Sequence, residues 1–269
     1  MLFRSFEETD RVQILVIYPG RFQPWHKGHK AVYDYLTQQF GRDNVFIATS
    51  NKVDPPRSPF SFSEKIKFMN LTGVSSDRIV ETRDPYKAIE LVQNYNPQLT
   101  RLVFAVSEKD MAEDPRFKFG VKKDGTPTKL QPMPKNPKDM KPMTDHFYLM
   151  VTPTVNFKVQ GADANSASEI RNKYISGKDA DRDQIITDLY GETYPELKDT
   201  FDKKLGASQQ AQKIVQEARK HTLTESARKR LSYILETIIQ QERAIQLNES
   251  FSDEPVNLNL DYLEEKRGL

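Results

Sequence analysis

The chain has 269 residues, 37% of them hydrophobic and 29% charged, with a net charge of +2; this suits one α/β domain with an appended piece, or two small domains. Without a strong basic or acidic excess, nothing global draws it to nucleic acid or an anionic membrane surface. Zero cysteines exclude a disulfide framework, a thiolate nucleophile and a Cys-ligated zinc, and no apolar stretch approaches the roughly 20 residues needed to span a bilayer.

Residues 1–11 mix Glu7, Glu8 and Asp10 with Arg4 and Arg11, unlike a secretory leader, so a soluble cytoplasmic protein is expected. Val12 to Tyr18 is short, apolar and rich in β-branched residues, and reads as a buried strand. Next comes Gly20-Arg21-Phe22-Gln23-Pro24-Trp25-His26-Lys27-Gly28-His29. Beyond it, Ala31, Val32, Tyr35 and Leu36 mark one face of a helix. A strand, a glycine-bearing turn and a helix start present backbone N–H groups and a positive helix end to a phosphate. His26 and His29 stand at the mouth of that helix, where both imidazoles can face one anion. Gly28 lets the backbone pass close to a ligand.

Asn44 to Ser50 reads as a second strand, followed by a proline-bearing loop from Asn51 to Pro59. Ser61 and Glu64 have capping-box spacing, and Ile66, Phe68, Met69 and Leu71 are the expected buried face of the helix they open. Arg78 to Thr82 reads as a strand and Pro85 to Tyr95 as a helix begun by proline. Leu102 to Val106 is another buried strand. The order βαβαβαβ predicts a parallel sheet with ligands at the carboxyl ends of its strands. The stretches Gly20–His29, Asn51–Ser61 and Ser107–Asp110 all fall there and should share one crevice.

From Pro115 to Pro142 recurrent prolines forbid a continuous helix, and Arg116, Lys118, Lys122, Lys123, Lys129, Lys135, Lys138 and Lys141 outnumber Asp124 and Asp139. Lys123-Asp124-Gly125-Thr126 is the expected tip of a turn. This insertion, about residues 111–145, is read either as a solvated loop or as a cationic flap over polyphosphate; with only Phe117 and Phe119 interleaved, nucleic acid is not the expected partner. Phe147 to Val151 and Val155 to Val159 are strand candidates. Ser166-Ala167-Ser168-Glu169-Ile170-Arg171 enters a helix through a second Ser/Glu capping pair. Past Gly177 the chain turns helical and polar, with a break at Tyr194-Pro195. Thr222 and Glu225 would cap a last helix whose stripe, from Ala227 to Ile245, packs on the domain or makes a homo-oligomer contact. Expected divisions are a domain over 1–178, a helical region over 179–248 and an acidic, loosely held tail over 249–269.

His26-x-Gly28-His29 behind Gly20-Arg21-Phe22-Gln23-Pro24 resembles the HxGH motif of the nucleotidyltransferase superfamily. The lead-in is similar to that of nicotinamide mononucleotide (NMN) adenylyltransferases, the archaeal type in particular; the Gly-Thr-Phe-Asp usual in cytidylyltransferases is missing. Ser58 to Lys65 resembles the helix entry Asn-Pro-Phe-Thr-x-x-Glu-Arg of the same enzymes. Ser166 to Arg171 resembles the superfamily's Ser-Ser/Gly-Thr-x-Ile-Arg, with Ala167 and Ser168 in place of the commoner residues. The neighbourhood of Glu108 to Met111, with the insertion, looks similar to adenylyltransferase-like proteins of large tailed phages, which would place the protein in a host cytoplasm.

The resemblance implies an α/β, Rossmann-like doubly wound parallel sheet with a C-terminal helical extension. It also implies transfer of AMP from ATP to a phosphorylated acceptor, NMN foremost, with release of pyrophosphate and with Mg2+ accompanying the ATP. His26, His29 and Arg171 would be catalytic. Gly20, Arg21, Phe22, Gln23, Lys27, Gly28, Ser166, Ser168 and Ile170 would hold nucleotide and phosphates, and Trp25, Asn51, Phe60 and Asp110 would face substrate. No residue is assigned as a protein ligand to metal. Two other readings stand beside this one: transfer of a cytidylyl or adenylyl group to another acceptor, such as a sugar, alcohol or pantetheine phosphate, and a non-catalytic nucleotide-binding or assembly protein. A class I aminoacyl-tRNA synthetase is set aside, because the chain is short and has no Lys-Met-Ser-Lys-Ser loop.

Overall fold

Period-two alternation sorts strand side chains onto two faces. In the computed structural model, which describes residues 11–108, 111, 119–164, 166–206 and 233, strand β1 (Gln13–Pro19) sends Val16 and Tyr18 to one face and Leu15 and Ile17 to the other. It pairs in parallel with β2 (Val45–Thr49) and with β4 (Thr100–Ser107). Beyond β2 lies β3 (Ile79–Glu81); beyond β4 lies β6 (Phe147–Thr152), which carries β5 (Leu130–Pro132) on its outer edge. The six-stranded sheet runs β3-β2-β1-β4-β6-β5 with every pairing parallel. Strand order reverses between β1 and β4, the switch point where an open α/β sheet forms its crevice. The fold is the Rossmann-like α/β fold expected.

One face is thickly covered. Helices α1 (Lys27–Phe40), α2 (Phe62–Leu71), α4 (Ala167–Ser176) and α5 (Asp179–Tyr190), together with the helical residues 195–206, share one apolar cluster on it. The other face is covered by the short α3 (Ile89–Val92) and by Met143 of the insertion. The boundary expected at residue 178 thus falls between two helices packed into the same core, and the compact unit runs to Ser208. Of the second unit, Gln209–Leu269, only Tyr233 is described, helical and exposed. The Thr222 cap, the apolar stripe and the acidic tail lie outside the described residues.

Several local expectations are corrected. The helix from Pro85 to Tyr95 shrinks to α3, because Ala88 adopts a left-handed φ of 45° and the residues before it close a turn on the Asp84 carbonyl. The strand from Val155 to Val159 shrinks to β7 (Lys158–Val159), which turns through Gln160 (φ 54°) and Gly161 (φ 74°) into antiparallel β8 (Ala162–Asp163). Two consecutive positive φ values are what a tight hairpin turn demands. The insertion has the expected turn, with Asp124 accepting from both the Thr126 amide and hydroxyl, and it also supplies β5, which its prolines concealed.

Helix α2 has its capping box: the Ser61 hydroxyl accepts from the Glu64 amide and the Glu64 carboxylate from the Ser61 amide. Its inward face differs from expectation. Leu71 is exposed, whereas Lys65 lies wholly inside beside Phe68 and Met69. The Lys65 ammonium donates to Thr49 Oγ1 at 3.0 Å and to the Ser50 carbonyl at the carboxyl end of β2. Burial lowers its pKa from 10.5 to about 8, partly offset by the charge of Glu81.

Two outcomes are expected. Phe201, unexposed against Phe60 and Phe68, should cost about 3–5 kcal/mol when cut to Ala, measured by urea unfolding; a loss below about 1 kcal/mol would detach residues 195–206 from the core. For Lys65, the unfolded amine holds its proton up to about pH 10.5 while the folded one releases it near 8. Between those values the unfolded state binds more protons, so stability rises with pH. Wild type should therefore gain on the order of 3 kcal/mol relative to Lys65→Met from pH 7.5 to 10.5, read by urea unfolding of both proteins across that range.

Candidate active site

The stretch after β1 is fastened at nearly every residue. Gly20 donates to the Ala48 carbonyl, and a Cβ on it would stand 2.6 Å from the Phe22 ring. That ring folds back because Phe22 takes a positive φ of 48°, and it packs edge-on against Tyr18, Trp25 and His29. The Arg21 carbonyl accepts from Thr49 Oγ1 at 3.5 Å, the hydroxyl that Lys65 also holds. The Gln23 amide pairs both ways with the Phe60 backbone, at 2.7 and 2.9 Å. Asn51 takes the Phe62 amide at 2.8 Å. Hydrogen bonds therefore join the loops after β1 and β2 into one wall.

His26 is the N-cap of α1, its Nδ1 accepting from the His29 amide at 3.4 Å. One helical turn brings the two imidazoles into a stack, ring centroids 3.7 Å apart and planes 24° from parallel. Burial, helped by the charges of His29 and Lys27, holds His26 well below the usual histidine range, and burial pushes His29 down to about 3. Both rings are neutral at pH 7. Since His26 Nδ1 accepts, its proton sits on Nε2, which is then a donor. His29 Nδ1 is buried without a hydrogen-bond partner in the protein, an uncommon state for a buried polar atom.

Arg171 arrives from α4. Ser166 caps that helix through the Glu169 amide (3.1 Å), and the buried Ile170 anchors it. Although 148 positions away in the chain, Arg171 sends Nη1 to the Gln23 carbonyl and Nη2 to Ser168 Oγ at 3.1 Å. Both acceptors are neutral. Burial first, and then the positive charge of Arg21, lowers its pKa from the ordinary value. Two adjacent guanidinium groups, one of them buried, form a local field suited to an anion.

Not every expected residue joins this cluster. Trp25 and Phe60 have no exposed surface. Trp25 donates Nε1 to Thr72 Oγ1 and lies stacked on His29, while Phe60 packs on Phe68 and Phe201. Neither can stack on a substrate ring; both serve packing. The side chain of Gln23 is consumed by Phe60, so its role is to hold the wall. Gly28 admits a neighbouring side chain, since a Cβ there would meet the Phe157 ring at 2.9 Å and His26 at 3.1 Å. Lys27 is exposed, its Nζ 5.8 Å from the Phe157 ring. Asp110 lies outside the described residues.

Sequence reasoning missed Phe157, whose ring lies 4.5 Å from that of His26, and nothing local announces it. It missed Lys65 too, although the spacing 65, 68, 69, 72 puts Lys65 on the inward stripe. Among the described residues no three His, Asp or Glu side chains gather as a metal cage, and no helix is long and apolar enough to cross a membrane.

Comparison with known proteins gives the chain a family. Residues 17–173 match the family described as Cytidylyltransferase-like. Over 96 residues, 32% of this chain and 55% of the relative, the sequence is 25% identical to nicotinamide-nucleotide adenylyltransferase 1 of Sulfolobus acidocaldarius. Over 50 residues, 19% of this chain and 30% of the relative, it is 38% identical to nicotinamide-nucleotide adenylyltransferase of Methanocorpusculum labreanum. The matched parts thus span little more than half of either relative at most. A bifunctional NMN adenylyltransferase/ADP ribose pyrophosphatase from Francisella tularensis, crystallised with AMP and a manganese ion, superposes with a TM-score of 0.43 at 15% identity, covering 79% of this chain and 57% of that one. These relatives do not support the phage origin suggested by the insertion. Since the match takes in more than half of the chain, from the end of β1 through Arg171, the protein belongs to the cytidylyltransferase-like family.

Proposed function

We propose that this protein is a nucleotidyltransferase that moves AMP from ATP to a phosphorylated acceptor, NMN before others, and releases pyrophosphate. The observation carrying the reading is the bond from Arg171 to the Gln23 carbonyl, which brings the two motifs onto one wall. The acceptor choice is supported by the names of the two archaeal relatives and by Gly20-Arg21-Phe22-Gln23 in place of Gly-Thr-Phe-Asp.

The chemistry asks little of the protein as a base, because the acceptor phosphate is already ionised near neutral pH. An acceptor oxygen attacks the α-phosphorus, the bond to the bridging oxygen breaks, and pyrophosphate departs. Catalysis then rests on alignment and on charge placed where it develops. Neutral His26 offers its Nε2 proton to a phosphate oxygen, and His29 adds a second imidazole stacked on the first. Arg171 and Arg21 oppose the charge of the departing β- and γ-phosphates, with the Ser168 hydroxyl beside them. Mg2+ would neutralise triphosphate oxygens; the described donor set, imidazoles and guanidiniums without a carboxylate cage, suits a metal carried by the nucleotide.

Three measurements test this. With ATP, Mg2+ and NMN, pyrophosphate release should exceed that with CTP or with sugar, alcohol or pantetheine phosphates by at least about tenfold in kcat/KM; a reversed ranking would reassign the acceptor and spare the reaction type. Arg171→Lys should lower kcat/KM by about 100-fold, since an ammonium cannot serve Gln23, Ser168 and a phosphate together. His29→Ala should cost about 100-fold or more in kcat, and unchanged turnover there would favour a non-catalytic nucleotide-binding protein.

A further inference from the structure

The carbonyls of the loop that carries the histidines need donors, and one of these donors comes from beyond the family match. Gln23 is served by Arg171. The Trp25 carbonyl, in the peptide bond that leads into His26, accepts from the Tyr190 hydroxyl at 2.6 Å across 165 positions of chain, and the bond is buried. Tyr190 is the last residue of α5, seventeen positions past the end of the match at residue 173. Its helix is pinned by Ile185, Ile186 and Leu189, none with exposed surface, and is closed by Gly191 in a left-handed turn. Its ring packs against both Phe68 and Phe201, with centroids 6.2 and 6.4 Å away. The phenol is therefore aimed at one atom and has little freedom to leave it.

We infer that Tyr190 is a positioning residue for the nucleotidyl-transfer site: by holding the Trp25 carbonyl it sets the orientation of the His26 peptide, and through it the stacked imidazole pair. The inference rests on the reading of His26 and His29 as the groups that meet phosphate. The N-cap geometry gives it a mechanism. His26 must keep an extended backbone, φ −159° and ψ 171°, while its Nδ1 receives the His29 amide. A rotation of the Trp25–His26 peptide would turn the Nε2 proton away from its target. Without the phenol, the carbonyl is left buried and unpaired, and recovering a partner requires that rotation. Burial keeps the phenol protonated well above its ordinary range, so it remains a donor at any working pH.

The test is Tyr190→Phe in the full chain, which keeps the ring and removes the donor. Tyr174→Phe is the control, since its phenol bonds Asp202 and the Lys198 carbonyl within the C-terminal helices. Steady-state kinetics should show kcat lower by about tenfold or more with KM for ATP within about twofold, because misplacement of aligned groups is felt in the transition state; Tyr174→Phe should leave kcat within about twofold. Independently of activity, imidazole nitrogen shifts of His26 and His29 in the ligand-free protein should move in Tyr190→Phe and stay in Tyr174→Phe. A Tyr190→Phe variant that is less stable but keeps wild-type kcat and imidazole shifts would reduce Tyr190 to packing and overturn the inference. Should wild type turn over no acceptor, the proposed function fails, and the imidazole shifts alone decide the role of Tyr190.

Discussion

A guanidinium removed from water is costly unless its donors are matched. Arg171 meets that demand with two neutral oxygens, the Gln23 carbonyl and the Ser168 hydroxyl, and stands next to the like charge of Arg21. The arrangement ties the helix start after the last sheet strand to the turn after the first. Both of these acceptors are neutral, so neither bond offsets the positive charge. One side chain thus joins the two motif-bearing segments, and the proposed site is built around it.

The wall around Arg171 is stiff for a reason separable from packing. Backbone carbonyls at 21, 23 and 25 are each taken by a donor from elsewhere: Thr49, Arg171 and Tyr190. The Gln23 amide fastens the loop after β1 to Phe60 in the loop after β2. Strained backbone persists only where surroundings over-determine it, and the positive φ of Phe22 is such a case, trapped between Gly20 and the aromatic cluster. A loop held this way keeps two neutral imidazoles in register without relying on their charge.

The buried lysine belongs to the same structure. Lys65 fixes Thr49, and Thr49 fixes the Arg21 carbonyl. A cation buried at the carboxyl end of β2 is therefore linked through a hydroxyl to the turn after β1. Its charge is retained at neutral pH because burial brings the amine down only to about 8.

The sheet, its parallel order and the meeting of the loops after β1 and β2 were readable in the sequence, because short apolar β-branched runs and capping pairs such as Ser61/Glu64 are local signals. The two family motifs were readable for the same reason: the turn from β1 into α1 and the start of α4 are each a contiguous stretch of chain. What lay beyond reach was decided by contacts between distant segments. Only the folded core shows that Trp25 and Phe60 are interior, because their neighbours Thr72, Phe68 and Phe201 come from other helices. Only the fold places Phe157 against His26 and Tyr190 against Trp25, where a single ring or hydroxyl meets its partner with no periodicity to announce it. Local pattern determined which segments become strands and helices; tertiary packing decided which side chains are interior and which polar groups are paired, because burial and hydrogen-bond pairing are properties of the assembled neighbourhood.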